Sequence, residues 1–347
     1  PPQVAPLNTK FAYAMLIAGV SSSGSYRGYL YNALVSSLAL RRSAPPPVDF
    51  DFVVLIMFDS NANTDLPQDE LDMLAAANIK IKIVKPFFGA PSFYTATMAK
   101  FYCWEMTDYS KVIFLDGDVL PLTDLSPFAT LPTRPNLAVA WKVSPVHAGF
   151  VVAKPDANHF ATMKKLITDQ EANGAWDPEN GWGTPTNKWF NHNYRVGGED
   201  WSFNGGHADQ GFLYYFFRFV LHDLAIVYKD RVVEFSGTAT ITTKKLDDVF
   251  GTRFAPIPEK VGKLATVSNT VPYNTFHHFT GKSKPWLQPA PPPGAESALG
   301  IWYDLLREVK TLYGLGVDVD KLSQGDLKSP LGSFSTFKAI PKKQSGQ

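Results

Sequence analysis

Two aspartates, Asp116 and Asp118, stand at the end of an apolar run in KVIFLDGDVLPLTDL, residues 111–125. In an extended chain, residues i and i+2 point to the same side, so both carboxylates face one place. Repulsion and desolvation oppose this arrangement unless a cation compensates for it. Gly117, between them, lets another group approach the backbone closely. The pair therefore predicts half of a site for a hard divalent cation, with an ordinary Asp-Gly-Asp turn as the structural alternative.

Alternating apolar runs and amphipathic stretches predict the elements that hold this pair. Strands are predicted at 11–20, 49–58, 79–87 and 111–118, with helices at 26–40, 68–77 and 95–106 between them. Such alternation is typical of a parallel, doubly wound α/β sheet. These sheets bind ligands beyond the carboxyl ends of their strands, and the aspartate pair lies at one of these ends.

The rest of the chain is predicted to extend this sheet and then to cover it. The pattern continues with two strands and two helices, at 136–143, 148–155, 156–170 and from about Ala208. A linker at 288–297 leads to a last helix that Ser297 can cap. We expect its apolar face to pack on the main domain, with Leu299, Trp302, Leu306, Val309 and Leu312 on that face.

Composition excludes several classes of partner. The 347 residues are 45% hydrophobic, which is enough for a large core, and the net charge of +1 offers no field for nucleic acid. The single cysteine, Cys103, excludes an internal disulfide bond. The longest apolar runs, 11–20 and 52–58, are too short to span a bilayer, so no membrane segment is predicted.

One chemical alternative treats the aspartates as catalysts of phosphate hydrolysis. A strand that ends in Asp-x-Asp is similar to the first motif of haloacid-dehalogenase phosphatases, with Asp116 as nucleophile and Asp118 as acid/base. Lys245 and the pair Asp247–Asp248 would then supply the later motifs. Against this, three strand–helix units precede the motif, whereas those enzymes usually open their core domain with it.

Three segments in order resemble glycosyltransferase family 8, the group that includes glycogenin and galactinol synthase. They are MAKFYCWEMTDYSKVIFLDGDVLPLTDL at 98–125, HADQGFLYYFF at 207–217 and HHFTGKSKPW at 277–286. The resemblance covers about residues 11–290 and implies a single GT-A domain, which is Rossmann-like with a mostly parallel sheet. An N-terminal extension, 1–10, and a C-terminal helical extension, 291–347, would flank it. It also implies a retaining enzyme that uses a UDP-sugar, a DxD motif and a divalent cation.

The third segment holds the residue types that a metal–diphosphate site needs. The imidazole of His278 can complete the ligand shell begun by the two aspartates. Gly281 permits a close approach to phosphate oxygens, and the ammonium of Lys284 offsets their charge. One nitrogen with several oxygens favours Mn²⁺, with Mg²⁺ as the alternative. His277 points to the opposite face of a strand and is expected to be structural.

The resemblance also implies residues around the transferred sugar. Lys100 would approach the donor, while Asp209 and Gln210 would lie beside the sugar. Their structural alternatives are a solvated helix lysine and an acidic helix N-terminus. Because the amide of Gln210 is a poor nucleophile, we expect a short-lived ion pair attacked from the leaving-group side, with Asp209 as an electrostatic partner.

On the nucleotide side, the resemblance places a uracil at the end of the first strand. Leu16 and Ala18 would line this position. Tyr29 is the aromatic residue expected to stack on the base, whereas packing accounts equally well for Tyr31.

The chain departs from the family at the sugar pocket. His147-Ala148-Gly149 stands where the family usually has Asn before a small residue and glycine, and the preceding loop, WKVSPV, lacks the usual carboxylate. His147 is expected either to donate a hydrogen bond to the sugar or to pack. UDP-glucose or UDP-galactose is the favoured donor. The departure also motivates an alternative function, a UDP-sugar- or glycan-binding protein of the same fold without transfer activity.

The acceptor is predicted only as a class: a glycan, a polyol or a glycoprotein. Residues 174–206 carry four tryptophans that form either an acceptor platform or the anchors of a polar flap, namely Trp176, Trp182, Trp189 and Trp201. A homodimer is an open alternative to a monomer. Members of the family work in the cytosol or the Golgi lumen, and the sequence leaves open whether a membrane anchor precedes Pro1.

Overall fold

The computed structural model describes most of the region that carries the predicted site. The described residues are 10–21, 24–44, 49–59, 65–87, 96–129, 136–141, 144–172, 194–196, 199–201, 209–228, 231–236, 240–245, 248–249, 275–281, 283–324 and 327. Trp176, Trp182 and Trp189 lie outside these ranges, as do Asp247 and nearly all of the tail after 325. The predictions for those residues stay predictions.

Within these ranges, nine strands form the central sheet, in the order β12-β11-β10-β6-β7-β4-β1-β2-β3. Their bounds are β1 Phe11–Val20, β2 Phe50–Phe58, β3 Ile79–Ile83, β4 Lys111–Leu115, β6 Leu137–Trp141, β7 Ser144–Ala153, β10 Asp223–Tyr228, β11 Arg231–Ser236 and β12 Thr240–Lys245. Strands β3, β2, β1 and β4 pair in parallel, and β10 pairs in parallel with β6. Strands β7 and β11 run against the others. The predicted α/β class with a mostly parallel sheet is confirmed.

Helices cover both faces of this sheet. Their bounds are α1 Arg27–Ser43, α2 Gln68–Ala76, α3 Ser126–Ala129, α4 Ala157–Ala172, α5 Asp209–Tyr215 and α6 Ala298–Tyr313. Residues 97–105, predicted as an α-helix, form a 3₁₀ helix, Thr97–Glu105. Two further 3₁₀ helices span Pro285–Leu287 and Val319–Gln324, and a π-helical turn, Phe216–Val220, extends α5. No helix in the described ranges has both the length and the apolar character that crossing a bilayer requires.

Strand β1 shows why both faces are covered. Alternate side chains belong to two different hydrophobic clusters, with Tyr13 and Met15 on one face and Ala12 and Ala14 on the other. Nearly the whole strand is therefore buried, which fits a parallel strand between two helical layers. Its partly exposed residues, Leu16 and Ala18, both lie in the carboxyl-terminal half of the strand.

The C-terminal helix α6 packs on the main domain, as predicted. Ser297 caps it, since its hydroxyl accepts a hydrogen bond from the Gly300 amide. Trp302, Leu306 and Val309 are fully buried in the same cluster as α1. The prediction was wrong for Leu312, which is 54% exposed because it lies at the margin of the apolar stripe in the last turn.

In the part of the chain that the structure describes, two short strand pairs lie outside the central sheet. Strands β8 Tyr194–Val196 and β9 Glu199–Trp201 form a hairpin within the predicted excursion. Strand β5 Val119–Pro121 pairs antiparallel with β13 Phe276–His278. The second pair joins the segment after the aspartates to a segment more than 150 residues later in the chain.

Candidate functional site

The aspartate motif forms a tight turn at the carboxyl end of β4. The Asp116 amide donates to the Gly149 carbonyl, and the Val119 amide closes the turn on the Asp116 carbonyl, both at 2.9 Å. A methyl group on Gly117 would lie 2.5 Å from the Tyr29 ring and 3.1 Å from the Leu16 carbonyl oxygen. Only glycine therefore fits between these two residues.

Pairing of β5 with β13 brings His278 to the aspartates. His278 lies opposite Val119, and the next amide, Phe279, donates to the Asp118 carbonyl at 3.0 Å. The His278 Nε2 atom lies 2.9 Å from Asp118 Oδ1 and 4.0 Å from Asp116 Oδ2. One ligand atom from each of the three residues falls within 4.8 Å of the others. This cluster can hold a metal ion.

Lys284 lies on one side of this cluster. Its ammonium forms an ion pair with Asp118 Oδ2 and donates to the Phe279 carbonyl at 3.0 Å, and the residue is buried. Burial alone would raise the pKa of Asp118, but the charges and hydrogen bonds of His278 and Lys284 have the larger effect and lower the pKa of this carboxyl group. Asp118 therefore stays ionised.

Lys100, from the 3₁₀ helix, lies on the other side and is only 3% exposed. Its ammonium donates to Asp116 Oδ1 at 2.9 Å and to the Ala148 carbonyl at 3.0 Å, and it lies 2.5 Å from Asp209 Oδ2. Burial acts to lower the pKa of Lys100, but the Asp116 and Asp209 charges outweigh it and raise the pKa. The solvated-lysine alternative is therefore wrong, because this lysine joins two carboxylates in the interior.

The charges of the site fit a cation. Three carboxylates face two ammonium groups, and burial, opposed by Lys100 and assisted by the Asp118 charge, raises the pKa of Asp116. Because burial is the largest cause, the raised pKa reflects desolvation of the Asp116 carboxylate, and a bound cation would offset that cost. Carboxylate oxygens with one imidazole nitrogen are a suitable donor set for a divalent ion.

His147 packs against the proposed ligand His278. The two rings meet edge to face, with centroids 4.8 Å apart, and the Gly149 amide donates to His147 Nδ1 at 3.2 Å. Burial, with His278 and Lys100 nearby, lowers the pKa of His147 well below its ordinary value. His147 is therefore a neutral imidazole that accepts at Nδ1 and carries its proton on Nε2, and its ring packs against His278.

The predicted nucleotide-side residues lie beside the turn. Leu16 and Ala18 are half-exposed at the end of β1, and Tyr29 is half-buried against Gly117. The ring of Trp286 meets the Tyr29 ring edge to face, with centroids 4.7 Å apart. Trp286 was assigned no role from the sequence, although its position two residues after Lys284 indicates that it lies near the site.

Two predicted residues make fewer contacts. Gly281 is exposed, and its φ of +64° is a left-handed backbone conformation that favours glycine. Gln210 is half-buried in the first turn of α5, and its backbone N–H donates to Asp209 Oδ1 at 2.9 Å. Asp209 thus both begins the helix and binds Lys100.

The phosphatase alternative does not fit the sheet order. Lys245 ends the edge strand β12, five strand positions from β4, which corresponds to roughly 24 Å. Lys245 and Asp248 are both exposed. Lys245 cannot assist a nucleophile at Asp116 over such a distance.

Comparison with known proteins confirms the family resemblance. The sequence pattern of Glycosyl transferase family 8 matches residues 31–173. UDP-glucuronate:xylan alpha-glucuronosyltransferase 2 of Arabidopsis thaliana is 33% identical over 98 residues, which are 27% of this chain and 16% of that protein. The match thus spans only a small part of the plant protein.

Solved structures give weaker likenesses. The galactosyltransferase LgtC, in complex with donor and acceptor sugar analogs, is 16% identical, with a TM-score of 0.46 over 92% of this chain and 100% of that one. The glycosyltransferase GlyE of Streptococcus pneumoniae TIGR4 is 15% identical, with a TM-score of 0.45 over 88% of this chain and 62% of that one. Likenesses at this level do not bear on activity.

Proposed function

From the premise that residues 31–173 form a glycosyltransferase family 8 region, we propose that the protein transfers a sugar from a UDP-sugar to a hydroxyl acceptor with retention of configuration. The observation that carries this proposal is the cluster of Asp116, Asp118 and His278, whose ligand atoms lie within 4.8 Å of one another. Buried lysines on both sides give it the charge pattern of a diphosphate site.

We propose Mn²⁺ as the cation, with Mg²⁺ as the alternative, because the donor set combines one imidazole nitrogen with carboxylate oxygens. When bound, the ion stabilises the negative charge that develops on the leaving diphosphate. Lys284 and Gly281 would bind the same phosphates. Leu16, Ala18 and Tyr29 would hold the uracil.

The residues of the chain itself would act on the sugar. Lys100 and Asp209, which are joined at 2.5 Å, fix the start of α5 beside the cluster. Gln210 follows directly and offers a neutral amide to the positively charged sugar carbon. Because an amide is a poor nucleophile, the acceptor hydroxyl attacks from the leaving-group side, and a diphosphate oxygen takes its proton.

We propose a class of donor sugar from the family resemblance. UDP-glucose and UDP-galactose are the favoured donors. The name of the plant relative adds UDP-glucuronate as a donor and xylan as an acceptor to be tested. His147 packs against His278 beside this pocket, and burial keeps it a neutral imidazole by lowering its pKa.

Release of UDP from a panel of UDP-sugars, with Mn²⁺ or with EDTA, tests the proposal. We expect Mn²⁺-dependent release from one preferred donor, and its loss in Asp118→Asn. Binding of a UDP-sugar without release in the presence of glycan, polyol and glycoprotein acceptors would instead support the binding-only alternative. Hydrolysis of p-nitrophenyl phosphate without nucleotide binding would contradict both.

A further inference from the structure

A buried hydrogen-bond chain reaches the cation cluster from the side of helices α1 and α6. Val119, the residue directly after Asp118, has its carbonyl oxygen bound by two α1 side chains. Asn32 Nδ2 and Ser36 Oγ each donate to it at 3.0 Å. All three residues are buried, so water cannot replace either bond.

The C-terminal helix continues this chain. The indole Nε1 of Trp302 donates to Asn32 Oδ1 at 2.8 Å, and both residues are fully buried. Because the indole N–H of Trp302 needs an acceptor, this bond places the Asn32 side-chain oxygen towards Trp302. The Asn32 NH₂ group is therefore directed to Val119. Thus α6 sets the orientation of an α1 side chain that binds the turn after the aspartates.

The position of Val119 affects two proposed ligands, Asp118 and His278. It follows Asp118 in the chain, and it lies opposite His278 in the β5–β13 pair. A shift of the Val119 carbonyl would move a carboxylate and an imidazole relative to each other. Loss of a group bonded directly to a metal ligand typically weakens metal binding ten- to a hundredfold, and these bonds, one residue away from Asp118, should act at or below the lower end of that range.

We propose that Asn32, oriented by Trp302, is a positioning residue for the cation site, so that the C-terminal helix contributes to cation affinity. This inference rests on the proposed function, because it presumes that the cluster binds a cation. It assigns α6 a role at the site beyond covering the core.

The test measures the Mn²⁺ dissociation constant by electron paramagnetic resonance, on the full chain and well below its thermal unfolding midpoint. Asn32→Leu removes both polar atoms, and we expect about tenfold weaker binding. Trp302→Phe removes only the indole donor, and we expect roughly threefold weaker binding. Val309→Ala is the matched control, because it opens a cavity in the same helix without touching the hydrogen-bond chain.

The inference holds if the first two variants bind Mn²⁺ more weakly while Val309→Ala, although less stable, binds it like the wild type. Wild-type affinity in both variants overturns it, as does an equal loss in Val309→Ala. If Asn32→Leu does not fold, Ser36→Ala takes its place, and we expect it to bind Mn²⁺ two- to threefold more weakly. Wild-type affinity in Ser36→Ala would then overturn the inference. A wild-type chain that binds no Mn²⁺ contradicts the proposed function itself.

Discussion

Replacing Lys100 with methionine should show how strongly the site depends on positive charge. The substitution keeps the length of the side chain but leaves Asp116 and Asp209 without the ammonium group that joins them. We expect the protein to fold less stably and to gain more from a divalent cation than the wild type does.

The size of the effect follows from burial. Removing one partner of a fully buried ion pair costs about 3–5 kcal/mol, because the other charge stays desolvated. The side chain of Asp116 is 30% exposed and that of Asp209 is 10% exposed, so water recovers part of this cost. We therefore expect Lys100→Met to lower the free energy of unfolding by about 2–4 kcal/mol without metal.

Urea unfolding with and without Mn²⁺ measures this loss. The control is Lys80→Met, because Lys80 is 53% exposed and Asp51, its partner, keeps Lys10 nearby. Its loss should stay below about 1 kcal/mol. Stability is compared with that of the wild type in the same buffer. Mn²⁺ should reduce the deficit of Lys100→Met by at least half and should leave the deficit of Lys80→Met unchanged. Equal losses in the two variants, or no response to Mn²⁺, would refute the electrostatic reasoning.

Three further predictions follow from other contacts. Gly117→Ala should weaken UDP binding about tenfold in calorimetric titration, because its methyl group would lie 2.5 Å from the Tyr29 ring; unchanged affinity would contradict this. Glu70→Gln should lower the free energy of unfolding by about 2 kcal/mol in urea, because the buried carboxylate of Glu70 binds Arg27 at 2.7 Å. Burial lowers the pKa of Lys111 from 10.5 to about 8, so the unfolded chain binds more protons between these values and stability should rise with pH from 8. Lys111→Met should remove that part of the rise, and an unchanged pH profile would contradict the assignment.

Local pattern was enough to predict most of the sheet. The strands from 11, 50 and 111 and the helices from 27 and 157 appear close to where apolar periodicity placed them. The helix type of residues 97–105 was mispredicted, because apolar periodicity does not distinguish a 3₁₀ helix from an α-helix over so short a span.

The site was predictable only in part, because its contacts join distant segments. The grouping of Asp116, Asp118 and His278 came from motif order and residue type, and the structure places these residues together. The joining of Lys100 to Asp209 could not be derived, since it depends on how the 3₁₀ helix and α5 meet. Similarly, no local pattern connects Asn32 with Trp302, which are 270 positions apart.

Equilibrium dialysis with Mn²⁺ and UDP tests the central claim most directly, because it counts the ions that the chain retains. We predict one Mn²⁺ per wild-type chain in the presence of UDP, and none in Asp118→Asn or His278→Gln at the same free concentration. A wild-type chain that retains no ion would contradict the account, as would two variants that retain it as well as the wild type.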